Sequence, residues 1–373
     1  MSARLEHQRA PEMIGVAPHP LALRQHRPAD RTREAVHDEA ERLAGGMRVY
    51  RLDNVNHTSE PNTEVRAFYC DHFVLPLPEG HKFPMAKYAR LRERVVDEGL
   101  VRPGDLCEAT PASWDDLALV HTAGYLRDIE GGTVSRDIQR RIGFPWSPQM
   151  VERARRSVGA TMQASAAARE DGSAANLAGG THHAFADRGE GFCVFNDVAV
   201  AARVLLRDGR ARRVAVIDCD VHQGNGTAAI FANEPAVFTF SMHGAHNFPF
   251  RKETSDLDVT FEDGTGDEEY LAGLEQHLPR VLDAHRPDIA FYVSGADPYE
   301  GDRFGRLKLT IDGLRRRDVF VFSECHARGI PVVVTMAGGY APDIDAVVTI
   351  HTNTIREAAR VSANRHSCSP SSC

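Results

Sequence analysis

Between residues 217 and 226 the chain reads IDCDVHQGNG, which sets Asp218, Asp220 and His222 at alternate positions behind an apolar run. Residues two apart in an extended segment project to the same side. Asp220 and His222 can therefore reach one ion, while Asp218 faces the same region one step deeper. Burying unpaired carboxylates at the end of such a run is costly, and a bound cation removes the cost. Asp297, at the end of FYVSGAD, supplies a third ligand from a distant segment. Two carboxylates and one imidazole with a position left open make a catalytic Zn²⁺ donor set, which Fe²⁺ or Co²⁺ would also satisfy. An isolated Asp218 or Asn225 after a strand would more often cap the next helix. Three alternating polar residues plus a distant aspartate favour the metal.

A second cluster, NLAGGTHHAFADRGEGFCVFND, carries His182 and His183 on a Gly-Gly turn, among Gly189, Gly191 and Phe192. A lone histidine there would be a satisfied core or turn residue. The tandem pair stands where a general base and acid would flank an activated water. Gly338-Gly339-Tyr340 reads as a turn whose tyrosine hydroxyl can donate to a developing oxyanion.

These residues need elements to bring them together. Short apolar, β-branched or aromatic segments predict strands at 175–179, 213–219, 236–242, 288–295 and 330–336. Helical patterns occupy 147–171, 196–208, 267–286 and 312–328, the last with Asp312 as N-cap and Gly329 just past its end. Continuous rather than alternating apolar strands indicate an α/β fold, a mostly parallel sheet with helices on both faces. Asp218-Asp220-His222, Ser241-Met242-His243, Asp297 and Gly338-Gly339-Tyr340 each follow a different strand. In open parallel sheets, sites lie outside the strands' carboxyl ends, so the clusters converge on one crevice.

The remaining features bound the function. Residues 1–64 read as a loose arm: the first 49 residues lack Phe, Trp and Tyr, with a short helix over 33–44. The Ser-rich 361–373 reads as a disordered tail. Apolar residues make up 42% and charged residues 26%, ordinary for a globular enzyme. The net charge of −8 and the lack of a basic cluster argue against nucleic acid. No apolar run approaches a membrane span or a secretory leader. Seven scattered cysteines without a C-x-x-C pair suit reduced thiols, and the expectation is cytoplasmic.

In this order and spacing, GGTHHA, GFCVFND, DCDVHQGNG, SGADPYEGD and AGGY resemble the zinc-dependent histone deacetylase family, whose fold is shared with arginases. DVHQGNG with ADPYEGDRFGRLKLTIDGLRRRD is most similar to its class IV branch and bacterial relatives of it. The resemblance covers roughly 65–360 and implies a single catalytic domain around an eight-stranded sheet. It places one Zn²⁺ on Asp220, His222 and Asp297, the histidine pair on His182 and His183, and the carbonyl-polarising tyrosine on Tyr340. Asp218 would orient His182 and help bind a structural K⁺, together with Ser241 and the Met242 carbonyl. Gly191, Phe192, Phe248 and Gly339 would line the acyl tunnel. The implied reaction is hydrolysis of an acylated lysine side chain in a protein or peptide, with long acyl chains preferred, or of a small acylated amine such as an acetylpolyamine. A two-manganese arginase would need further carboxylates after Asp297, where Pro298 and Tyr299 stand. A silent acyl-lysine-binding scaffold would have no use for His182, His183 and Tyr340. Two departures are specific to this chain: Asn225 replaces the carboxylate that many relatives place behind the second histidine, and the loop IGFPWSP lacks their rim aspartate. Oligomeric state is not legible.

Overall fold

The computed structural model describes residues 65–367. The expected arm over 1–64, with its helix over 33–44, lies outside the described residues, as do 368–373. Eight strands form one sheet: β1 (Arg66–Tyr69), β2 (Leu106–Glu108), β3 (Ser173–Asn176), β4 (Val214–Asp218), β5 (Val237–Gly244), β6 (Leu257–Phe261), β7 (Ile289–Val293) and β8 (Val332–Thr335). Their spatial order is β2-β1-β3-β8-β7-β4-β5-β6, and every neighbouring pair is parallel. The strands are joined by helices α1 (Ala86–Asp97), α2 (Trp114–Leu117), α3 (Ala123–Gly131), α4 (Arg136–Ile142), α5 (Pro148–Asp171), α6 (Asp197–Arg207), α7 (Asn225–Phe231), α8 (Asp267–His285) and α9 (Ile311–Ala327), and α10 (Ile344–Ser367) follows β8.

Strands β4, β7 and β8 are buried on both faces because their alternate residues enter two different cores. Ala215, Ile217, Tyr292 and Val334 pack with Leu91 and Val95 of α1, Leu274 of α8 and Val348 of α10. Val214, Val216, Phe291 and Val333 face the other way, against Ala164 of α5 and Val198 of α6. That two-sided burial is why these strands read as continuous apolar runs.

The sequence placed five strands and four helices to within a few residues, with instructive exceptions. Strands β1, β2 and β6 were not anticipated. The first two have four and three residues, and β6 is largely half-buried, so none carries a sustained apolar run. Asp312 is not the N-cap of α9. Thr310 takes that role, accepting from Gly313 N–H at 2.9 Å, because the Asp267 carboxylate fixes the Thr310 backbone and hydroxyl. Gly329 follows the helix in the left-handed conformation, as expected. Helix α10 continues to Ser367, past the expected start of the tail at 361, with Ala358, Ala359 and Val361 buried against the core.

Candidate active site

Strands β3, β8, β7 and β4 lie side by side, and the loop after each contributes one part of a single crevice. The β4 loop brings Asp220 and His222, and the β7 loop brings Asp297. All three are buried, and one donor atom from each lies within 4.8 Å of the others. His222 Nδ1 stands 3.0 Å from Asp220 Oδ1 and 3.0 Å from Asp297 Oδ2. The outward oxygens are held by backbone: Gly338 N–H donates to Asp220 Oδ2 at 2.8 Å and Val221 N–H to Asp297 Oδ1 at 3.0 Å. Among the described residues no arginine or lysine forms an ion pair with either carboxylate. Burial and the charge of Asp220 together push Asp297 up to about 7. Two buried carboxylates repelling each other across an imidazole are a donor set that fits a divalent cation.

The β3 loop carries the histidine pair, with ring centroids 4.1 Å apart. His182 Nδ1 lies 2.7 Å from Asp218 Oδ2, and His183 Nδ1 lies 2.7 Å from Asn225 Oδ1. The two differ electrostatically. Burial opposes charge on His182, but Asp218 and Asp220 outweigh it and raise the imidazole to about 9. Burial together with His182 and His222 holds His183 well below its ordinary value, and the Asn225 amide offsets little of that. The loop is pinned by Asp197, whose carboxylate accepts from Gly180 N–H at 3.1 Å, Thr181 N–H at 2.7 Å and the Thr181 hydroxyl at 2.6 Å. His121 spans its two ends, bonding the Phe185 carbonyl through Nδ1 at 3.0 Å and accepting from Asn196 N–H through Nε2 at 3.1 Å.

A cavity of about 400 Å³ leads to this centre, lined by Gly191, Phe192, Phe248, Phe304, Tyr340 and both His183 and His222. Phe248 meets His183 edge-on at 5.0 Å, and Phe192 stands 6.0 Å from Tyr340. Phe192 can adopt its place because Gly143 opposite has no side chain; a Cβ there would lie 2.9 Å from the Phe192 ring. Tyr340 is fixed by Asp302, whose carboxylate accepts from Tyr340 N–H at 2.6 Å. Gly339, expected at the tunnel wall, faces away: a Cβ on it would meet Val347 and Ala296, and its carbonyl is 3.4 Å from the buried Lys87 Nζ. Gly338 instead lines a smaller space of about 40 Å³ beside Asp220 and Tyr340. Asp218 and Ser241 are register partners on β4 and β5, next to the buried Met242.

Sequence reasoning gave no role to Lys87, His121, Asp197 or Asp302. Lys87 and His121 sit in segments without a motif. Asp197 and Asp302 lie inside the quoted strings GFCVFND and SGADPYEGD, so the signal was present but its purpose was not.

An open parallel sheet with a buried Asp-His-Asp cluster that could hold a metal ion, a histidine pair and an aromatic tunnel fits an α/β hydrolase. The histone deacetylase domain family model matches residues 81–355. Histone deacetylase 2 of Arabidopsis thaliana is 30% identical over 75% of this chain and 76% of its own. An uncharacterised protein of Picosynechococcus sp. is 43% identical over 78% of this chain and 97% of its own. The crystal structure of a histone deacetylase homologue complexed with SAHA shares the fold, with a TM-score of 0.69 and 24% identity over 80% of this chain and 84% of that one. The chain belongs to the histone deacetylase family of hydrolases.

Proposed function

We propose that the protein is a zinc-dependent lysine deacylase of the class IV type, acting on acylated lysine side chains of proteins or peptides. The observation that carries this reading is the meeting of Asp220, His222 and Asp297 with His183 and Tyr340 at the foot of an aromatic tunnel. A cation held by those three ligands would supply Lewis acidity to the acyl carbonyl and acidify a water. His183 is kept neutral by its surroundings, and its Nδ1–H donates to Asn225 Oδ1, which leaves Nε2 free to accept a water proton. The same nitrogen then returns a proton to the departing lysine amine. His182, held by Asp218, acts as an electrostatic and orienting group beside the reacting carbonyl. The Tyr340 hydroxyl donates to the oxyanion as it forms, from a backbone position set by Asp302. Asp218, Ser241 and the Met242 carbonyl would hold a structural K⁺ away from the reacting atoms.

A preference for a longer acyl group is supported by the space beyond Tyr340. The inner cavity shares Phe83, Tyr88, Thr181 and Phe192 with an adjoining chamber of about 60 Å³, whose walls include Leu75, Phe144, Met150 and Phe195. Each methylene buried there contributes about 0.8 kcal/mol, which offsets the missing rim aspartate. We therefore assign a preference for chains of roughly eight carbons or more, gained mainly in KM because the tail binds ground and transition states alike. The five described cysteines are free thiols, and no described helix is long and apolar enough to cross a membrane, which suits a cytosolic setting. The test is turnover of acyl-lysine peptides from acetyl to long-chain, with an acylated polyamine alongside. Absence of hydrolysis in every case would refute the enzyme reading; kcat/KM falling steadily from acetyl onward would refute the long-chain preference.

A further inference from the structure

Helix α9 buries an ion pair in the layer directly beneath the ligand loops. Arg317 and Asp318 have no exposed surface. Arg317 Nη1 donates to Gly295 O at 2.7 Å and to Cys219 O at 3.2 Å, and Nη2 to the Ser294 hydroxyl at 3.2 Å. Cys219 precedes the ligand Asp220, and Gly295 lies two residues before the ligand Asp297. One guanidinium thus bridges the carbonyls of both ligand-bearing segments at the point where they leave adjacent strands β4 and β7. Asp318 holds the guanidinium through Nε at 3.0 Å, and its own oxygens accept from the hydroxyls of Tyr292 at 2.5 Å and Thr354 at 2.6 Å.

Stability does not account for this pair. Desolvating two charges costs about what their attraction returns, and apolar residues of similar volume serve a core as well. The surroundings are apolar, with Val321 and Phe322 on the same helix fully buried. What apolar residues cannot do is fix the separation of two carbonyls, which the planar, multidentate guanidinium does. We propose that Arg317, oriented by Asp318, is the positioning residue that sets the spacing of Asp220 and Asp297 and thereby the metal affinity of the centre. This rests on the reading that Asp220, His222 and Asp297 hold a divalent cation.

The test uses the full chain carrying Tyr292→Phe, Arg317→Met and Asp318→Leu together, which removes both charges and the tyrosine hydroxyl while keeping volume. Zn²⁺ and Co²⁺ affinities are measured by competition with a chromophoric chelator, and the Co²⁺ ligand-field spectrum reports the geometry. Asp220→Ala serves as the metal-free control. The expected result is cooperative melting with metal affinity weakened about 10–100-fold, the range for groups that orient metal ligands, and a changed Co²⁺ spectrum. Wild-type affinity and spectrum in the triple variant would overturn the proposal. An unaltered chain that binds no ion better than Asp220→Ala would instead remove the metal reading beneath it. If the triple variant does not fold, Arg317→Lys carries the test, since an ammonium keeps the charge without spanning both carbonyls. It is expected to weaken metal binding about tenfold, and unchanged affinity would overturn the proposal.

Discussion

His121 gives the stability of this protein a specific dependence on pH. Its ring is buried beside Tyr125 and Phe195, and burial holds it down to about 4 from an ordinary 6.5, although the Phe185 and Ala186 carbonyls act in the opposite sense. Asn196 N–H occupies Nε2, so a second ring proton would set donor against donor. The folded-state value lies below the unfolded one. Between the two, the unfolded chain binds the proton and the native one does not. The contribution is therefore complete above pH 6.5 and is lost as pH falls through 4. Linkage with these two values gives a loss of about 2.5 kcal/mol between neutral pH and about pH 4.5. His121→Gln isolates this term, because glutamine does not titrate; it should cost about 1–3 kcal/mol at neutral pH through the lost hydrogen bond and the repacked site. Denaturant midpoints measured across the pH range should show the wild-type advantage shrinking by about 2.5 kcal/mol at the acid end. Parallel curves for the two proteins would refute the reasoning. In the native state His121 keeps its ties to Phe185 and Asn196 until pH approaches 4, so any direct effect on activity should appear only there.

Further outcomes follow from the site. Elemental analysis should find about one transition metal per chain, and Ala at Asp220, His222 or Asp297 should abolish both metal and turnover; two catalytic ions would contradict the donor set. His183→Ala should keep its metal and lose about 10²–10⁴-fold in kcat, and Tyr340→Phe roughly 10²–10³-fold. Gly338→Ala is expected to abolish metal binding, because its Cβ would lie 1.9 Å from Asp297 Oδ2 and 2.6 Å from Asp220 Oδ2; normal metal content would refute this.

What could be read from the sequence was whatever is local. Asp220 and His222 share a short string whose period matches extended backbone, and Val332 to Val334 form an unbroken apolar run because both faces of the strand are buried. Lys87 could not be read, because its role is set by carbonyls of Ala337 and Gly339 some 250 residues away. The same holds for His121, whose partners belong to another loop, and for Arg317, one of three consecutive arginines on a helix. Its neighbours Arg315 and Arg316 are indeed at the surface, paired with Asp312 and Glu268. Helical periodicity alone left open which of the three turns inward. Which of Gly338 and Gly339 borders the inner cavity was likewise not legible, because adjacent glycines in a turn look alike until their backbone angles are known.

The strand order has a consequence for the birth of the molecule. β8 is last in sequence, yet it occupies the slot between β3 and β7, pairing with both. Without it, β2-β1-β3 and β7-β4-β5-β6 have no strand-to-strand pairing with each other, and contacts outside the sheet pairing, such as His182 to Asp218, join them. His182 and His183 hang from one half and the candidate metal ligands Asp220, His222 and Asp297 from the other, while Tyr340 follows β8. The candidate ligands therefore all precede, in sequence, the strand that completes the sheet around them. A chain truncated before β8 lacks both the strand that joins the two halves of the sheet and Tyr340, so it is expected to show no turnover.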